Sequence, residues 1–166
     1  MSRAFVKEDS SQPPLTVPRP PLPEGAVNYV TQRGLALLHE ERARLEAARP
    51  NPEALDATRE LAAYNARSSA LAARIASAVV LDPATLPRDE ARFSALVTLR
   101  SDRDEERRYR IVGVDEADAR AGRIAFTAPL ALRLSGKRVG DALALRGPQG
   151  EVKFEIVSID YTQELP

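Results

Sequence analysis

At 166 residues the chain is long enough for one ordinary domain, or for a small domain carrying an elongated appendage. Its 24 basic and 24 acidic side chains cancel, which excludes the strongly basic balance of a protein that wraps duplex DNA. Cysteine is absent and His39 is the single histidine, which excludes disulfides, thiol nucleophiles and Cys- or His-rich metal sites.

The chain also lacks an apolar run of signal-peptide or membrane-spanning length, so a cytoplasmic protein without membrane contact is expected. Residues 1–27 carry Pro13, Pro14, Pro18, Pro20, Pro21 and Pro23 among polar residues. Proline removes backbone donors and fixes φ, so this stretch reads as a flexible leader of partly polyproline-II character, with Ala4-Phe5-Val6 as its one apolar patch.

Residues 28–82 read as an antiparallel helical hairpin. Thr31 is a plausible N-cap, and Leu35, Leu38, Leu45 and Ala48 follow at helical spacing with Arg42 interrupting the stripe. A second stripe, Leu61, Tyr64, Ser68, Leu71, Ile75 and Ala78, alternates steps of three and four, which is a narrow heptad seam. Two such stripes bury each other by folding back as a thin, alanine-rich coiled coil.

The turn has two placements. Pro50 either kinks the first helix, leaving the turn near residues 55–59, or Pro50-Asn51-Pro52 is itself the turn, with Asn51 capping the second helix. The second is favoured, because the heptad run reaches back unbroken to Leu61 and two prolines within three residues disrupt a helix. It places Glu60 two helical turns down the second arm. Arms of about 18 to 25 residues would reach roughly 27 to 38 Å.

Pro83 and Pro87 mark a linker over 83–90, and from there the period becomes two. Phe93, Ala95, Val97 and Leu99 read as a first strand, Ser101-Asp102-Arg103-Asp104 as a hairpin turn, Arg108–Gly113 as a second strand and Arg123–Phe126 as a third. Pro129 opens a short helix, Leu130 to Leu134, closed by Gly136. Asp141–Leu145 and Val152–Ile159 complete the strands, around the turn Gly147-Pro148-Gln149-Gly150. Residues 91–162 are therefore expected to form a mostly antiparallel sheet with one helix, in an α+β chain whose last residues, 163–166, are a tail. Gly113 and Gly140 are expected where the chain turns tightly at strand ends.

Four blocks in the globule carry a family likeness. Tyr109-Arg110-Ile111-Val112-Gly113-Val114-Asp115-Glu116, then Thr127-Ala128-Pro129-Leu130-Ala131-Leu132, then Gly136-Lys137-Arg138-Val139-Gly140-Asp141, then Glu155-Ile156-Val157-Ser158-Ile159-Asp160-Tyr161 follow in order. They resemble the C-terminal domain of GreA/GreB transcription elongation factors, leaning to the GreB side. Asn28-Tyr29-Val30-Thr31-Gln32-Arg33-Gly34 looks like the start of that family's first coiled-coil helix.

The resemblance implies an FKBP-like globule that docks at the rim of the RNA polymerase secondary channel, with the coiled coil entering it. The protein would be a monomer that meets nucleic acid only within the transcription complex. It would not be an enzyme itself, but would at most stimulate RNA cleavage by the polymerase. The region of Ala128, Pro129 and Leu130, beside an acidic loop at Asp115 and Glu116, is implied as the docking surface. Tip acids of the family help hold a Mg2+ shared with the polymerase active centre, and Asp56 and Glu60 are the candidates here. Glu60 and Tyr64 keep the family spacing, whereas Asp56 is one residue too far from Glu60. The alternatives are a short-armed regulator that competes for the channel without cleavage, an FKBP-like prolyl isomerase, and a coiled-coil adaptor with another partner.

Overall fold

The computed structural model describes residues 19–53, 57–147 and 150–162. Among these, strand β1 (Asn28–Val30) leads into helix α1 (Gln32–Ala47), and helix α2 (Ala57–Ala76) leads into strand β2 (Ala78–Val80). Thr31 caps α1 as its residue type suggests, its hydroxyl accepting from the Gly34 N–H at 2.8 Å. Helix α1 stops at Ala47, and Pro50 lies beyond it in the turn. The prolines therefore end the first helix instead of kinking it.

Pro52 and Glu53 form a turn. The Asn51 side chain accepts from the Glu53 N–H at 3.0 Å there, and α2 is described only from Ala57. Glu60 lies in the first described turn of α2. At 16 and 20 residues the helices span about 24 and 30 Å.

The heptad seam is present. Leu38 and Leu71 are fully buried together with Val30, and Leu35, Leu45, Ile75 and Ala78 pack around them. Towards the tip, Leu61, Tyr64 and Ser68 are only half-buried. Burial therefore concentrates at the base of the arm, where β1 and β2 pair in parallel with Asn28 opposite Ala78 and Val30 opposite Val80. Within the block that resembles the start of the family's first helix, Asn28, Tyr29 and Val30 form a strand, and the helix begins after Thr31, the expected cap.

The globule is a five-stranded sheet in the order β5-β4-β3-β7-β6, formed by β3 (Leu96–Ser101), β4 (Glu106–Val112), β5 (Arg123–Ala125), β6 (Ala142–Gly147) and β7 (Gly150–Asp160). All its pairings are antiparallel except β4 with β5. Helix α3 (Pro129–Leu134) completes the α+β architecture. Strand β3 starts at Leu96 and not at Phe93, because Ser94 adopts a φ of 69°, outside the extended region.

Ser101 closes the β3–β4 hairpin, its hydroxyl accepting from the N–H groups of Arg103 and Glu105 at 3.2 and 3.1 Å. Val97, Leu99, Phe154 and Ile156 from the sheet meet Ala131 and Leu134 from α3 in the core. Tyr161 fastens the end of the globule to the linker. Its hydroxyl donates to the Glu90 carbonyl at 2.6 Å and accepts from the Arg92 N–H at 3.1 Å.

Candidate functional site

Three regions bear on function: the joint between arm and globule, the arm tip, and the exposed face around α3. The joint is built from residues that the sequence reading assigned elsewhere. The chain leaves β4 through Gly113 and passes directly under β1, where a Cβ on Gly113 would stand 2.8 Å from the Tyr29 carbonyl oxygen. Gly113 has no positive φ, so it is required for close approach and not for turning. Gly140, with φ of 90°, is the turn residue expected of it.

Beyond Gly113, the acidic pair is folded inward. Glu116, 6% exposed, accepts a hydrogen bond from the Thr31 hydroxyl and lies 3.4 Å from the Arg33 guanidinium. The Thr31 hydroxyl therefore accepts from α1 and donates to the globule at once. Gly34, in the first turn of α1, leaves the space for this carboxylate: its Cβ would lie 2.9 Å from Glu116 Oε2.

Asp115 is largely enclosed too, though less than Glu116. Its carboxylate meets Arg19 Nη1 at 2.5 Å and Arg74 Nε at 3.4 Å, with both Asp115 and Arg74 side chains 9% exposed. Arg19 Nη2 also reaches Glu41 on α1 at 2.6 Å, so two guanidinium groups and two carboxylates alternate. Burial opposes the Arg19 charge, but its hydrogen bonds to Glu41 and Asp115 outweigh this and hold its pKa above the ordinary range. Asp115 and Glu116, expected beside the docking surface, are instead engaged by the arm and by Arg19.

Aromatic packing completes the joint. Tyr29 of β1, Phe93 and Phe126 form a triangle with all three ring centroids 5.9 Å apart. None of these rings, nor Arg19 or Arg74, was singled out from sequence as a functional residue. The usable signal was Gly34: a glycine in the first turn of a helix lowers helix propensity and points to a close neighbour.

At the tip, the Glu60 side chain is exposed, and Asp56 lies outside the described residues. Among the described residues no three His, Asp or Glu side chains gather to hold a metal ion. On the α3 face, Pro129 opens the helix and is exposed, but Ala128 and Leu130 pack partly against the core. The large apolar side chains that this stretch presents to solvent are Leu132, 63% exposed, and Val139, 58% exposed. No helix among the described residues is long and apolar enough to cross a membrane.

The globule matches a family model described as transcription elongation factor, GreA/GreB, C-term, over residues 86–161. A transcription elongation factor GreA of Psychrobacter arcticus is 41% identical over 98 residues, covering 58% of this chain. That alignment spans 62% of the relative's length, under two thirds. One from Methylobacterium nodulans is 36% identical over 152 residues, covering 80% of this chain and 96% of that protein. Both carry the GreA name, not that of the GreB side to which the sequence reading leans. A solved structure of a prokaryotic GreA/GreB elongation factor from Nitrosomonas europaea is 22% identical, covers 80% of this chain and 98% of its own, and has a TM-score of 0.44. By its globule and by a relative matched along nearly its whole length, the chain belongs to the GreA/GreB family of transcription elongation factors.

Proposed function

We propose that this chain binds RNA polymerase at the rim of the secondary channel and regulates elongation, with the arm directed into the channel. The observation that carries the reading is the near full-length match to a relative named transcription elongation factor GreA. Its architecture supports it: an arm seated on a globule by buried charges and aromatic packing can present its tip at a set direction. The proposed docking face centres on Pro129, Leu132 and Val139, where apolar side chains stand in solvent.

Stimulation of RNA cleavage would be the activity of the tip. A divalent cation at the polymerase active centre polarises the scissile phosphodiester when bound. Glu60 supplies an exposed carboxylate of the right chemistry, and Asp56 is the second candidate by sequence. Two such acids fall short of a complete ligand set, so the ion would be held chiefly by the polymerase. Short arms favour a second reading, in which the protein occupies the channel without promoting cleavage: α1 has only 16 residues.

Cleavage of RNA in backtracked complexes separates the two. Under the first reading the wild-type chain accelerates cleavage, while Asp56→Ala and Glu60→Ala reduce it without loss of binding. Cleavage undiminished by both substitutions would remove these acids from the mechanism. An unchanged affinity for polymerase after Leu132→Asp would remove the proposed docking face.

A further inference from the structure

We infer that residues 19–27 act as a strap, and that Arg19 is a positioning residue which sets the angle between arm and globule. This inference is independent of the polymerase reading. The arm is joined to the globule at a pivot, where the Thr31 hydroxyl and Arg33 meet Glu116. Beside it, Tyr29 packs on Phe93 and Phe126, and all of these α1-side contacts lie at the base of the arm, which leaves α1 leverage to tilt about them. A second attachment further along the same helix removes that freedom.

Arg19 supplies the second attachment. Its guanidinium spans from Asp115 on the globule to Glu41 on α1, at 2.5 and 2.6 Å. Glu41 is ten residues beyond Thr31, or about 15 Å along the helix axis. Arg74 ties the other helix to the same point, with Nε 3.4 Å from Asp115 and Nη2 donating to the Pro20 carbonyl at 2.5 Å. The strap, α2 and the globule therefore meet at the Asp115 carboxylate, and Arg19 extends the contact to Glu41 on α1. A planar guanidinium can bond two carboxylates at once, which an ammonium does less well.

The sequence around Arg19 suits a strap. Pro20, Pro21 and Pro23 follow it directly, so the segment between Arg19 and β1 has few conformations to lose on seating. Pro23 then accepts from the Ala26 N–H at 3.0 Å, and Gly25, with φ of 74°, turns the chain back into β1.

The chain has no cysteine, so two introduced cysteines can be spin-labelled cleanly. Ala47→Cys at the end of α1 and Arg103→Cys in the β3–β4 turn are both at exposed positions. The distance distribution between them, by double electron–electron resonance on the full chain, is expected to be narrow. It should widen at least twofold on Arg19→Ala, widen less on Glu41→Gln, and stay narrow on Arg44→Ala, an exposed arm charge outside the strap. Circular dichroism should show unchanged helix content in Arg19→Ala. A distribution that stays narrow in both Arg19→Ala and Glu41→Gln overturns the inference. So does widening accompanied by loss of helix, since Arg19 would then support the fold generally and not the angle.

Discussion

Gly34 and Glu116 offer a test of how the joint is built. Gly34→Ala should gain up to about 1 kcal/mol of helix propensity if the site were open. It is not open: the new Cβ would lie 2.9 Å from Glu116 Oε2 and 3.3 Å from Thr31 Oγ1. A carboxylate at the end of a mobile side chain could retreat, but the Glu116 side chain is 3% exposed and is held by Thr31 and Arg33. Displacing it forfeits hydrogen bonds to a charged group, each worth about 1.5–3 kcal/mol. The net expectation for Gly34→Ala is a loss of about 1–2 kcal/mol. Glu116→Ala should itself cost about 2–3 kcal/mol by the same hydrogen bonds.

The informative variant is the double one. With Glu116 already reduced to alanine, the obstacle is gone, and Gly34→Ala should be neutral or stabilising by about 0.5–1 kcal/mol. The coupling between the two substitutions is then about 2 kcal/mol, well outside the error of urea denaturation followed by circular dichroism. Strict additivity, or a stabilising Gly34→Ala in the wild-type background, would refute the packing argument.

Other expectations follow from the same contacts. Gly113→Ala meets a backbone oxygen at 2.8 Å, which cannot rotate away, and should lose about 1–3 kcal/mol, seen as a fall of several degrees in Tm. Leu71→Ala, at a position 1% exposed in the arm seam, should lose about 2–5 kcal/mol and lower helix content near the thermal transition. Tyr161→Phe should lose about 1 kcal/mol in denaturant melts through its two hydrogen bonds. Burial also raises the Tyr161 pKa, so its proton is held more tightly in the folded state. Stability should therefore fall as pH rises above the ordinary tyrosine value of 10.0, and the Phe variant should show a shallower alkaline decline.

Much of the fold was legible because the periodicities are local. Leu38 and Leu71 announced the arm seam by spacing, Thr31 announced the cap, and Val97 and Leu99 announced a strand by alternation. The joint was not legible, because each of its contacts links residues far apart in sequence. Asp115 and Glu116 look like a solvated acidic loop until Arg19, 96 positions away, and Thr31, 85 positions away, are brought to them. Likewise β1 and β2 are three residues each, too short for a periodic signal, and exist through pairing across the whole arm. Ser94 gave no warning of its positive φ, which moved the start of β3 past Phe93 and freed that ring for the joint.

The parallel pairing of β1 with β2 has a consequence for how such a protein can vary. It holds the strand entering the hairpin and the strand leaving it one strand spacing apart, about 4.8 Å, whatever lies between them. Matched heptads can then be added to or removed from the two helices while the register of the base is unchanged. Reach becomes a quantity that selection can adjust separately from attachment. A graft of longer helices between Leu38 and Leu71 would test that modularity, by extending the tip while leaving the base as it is.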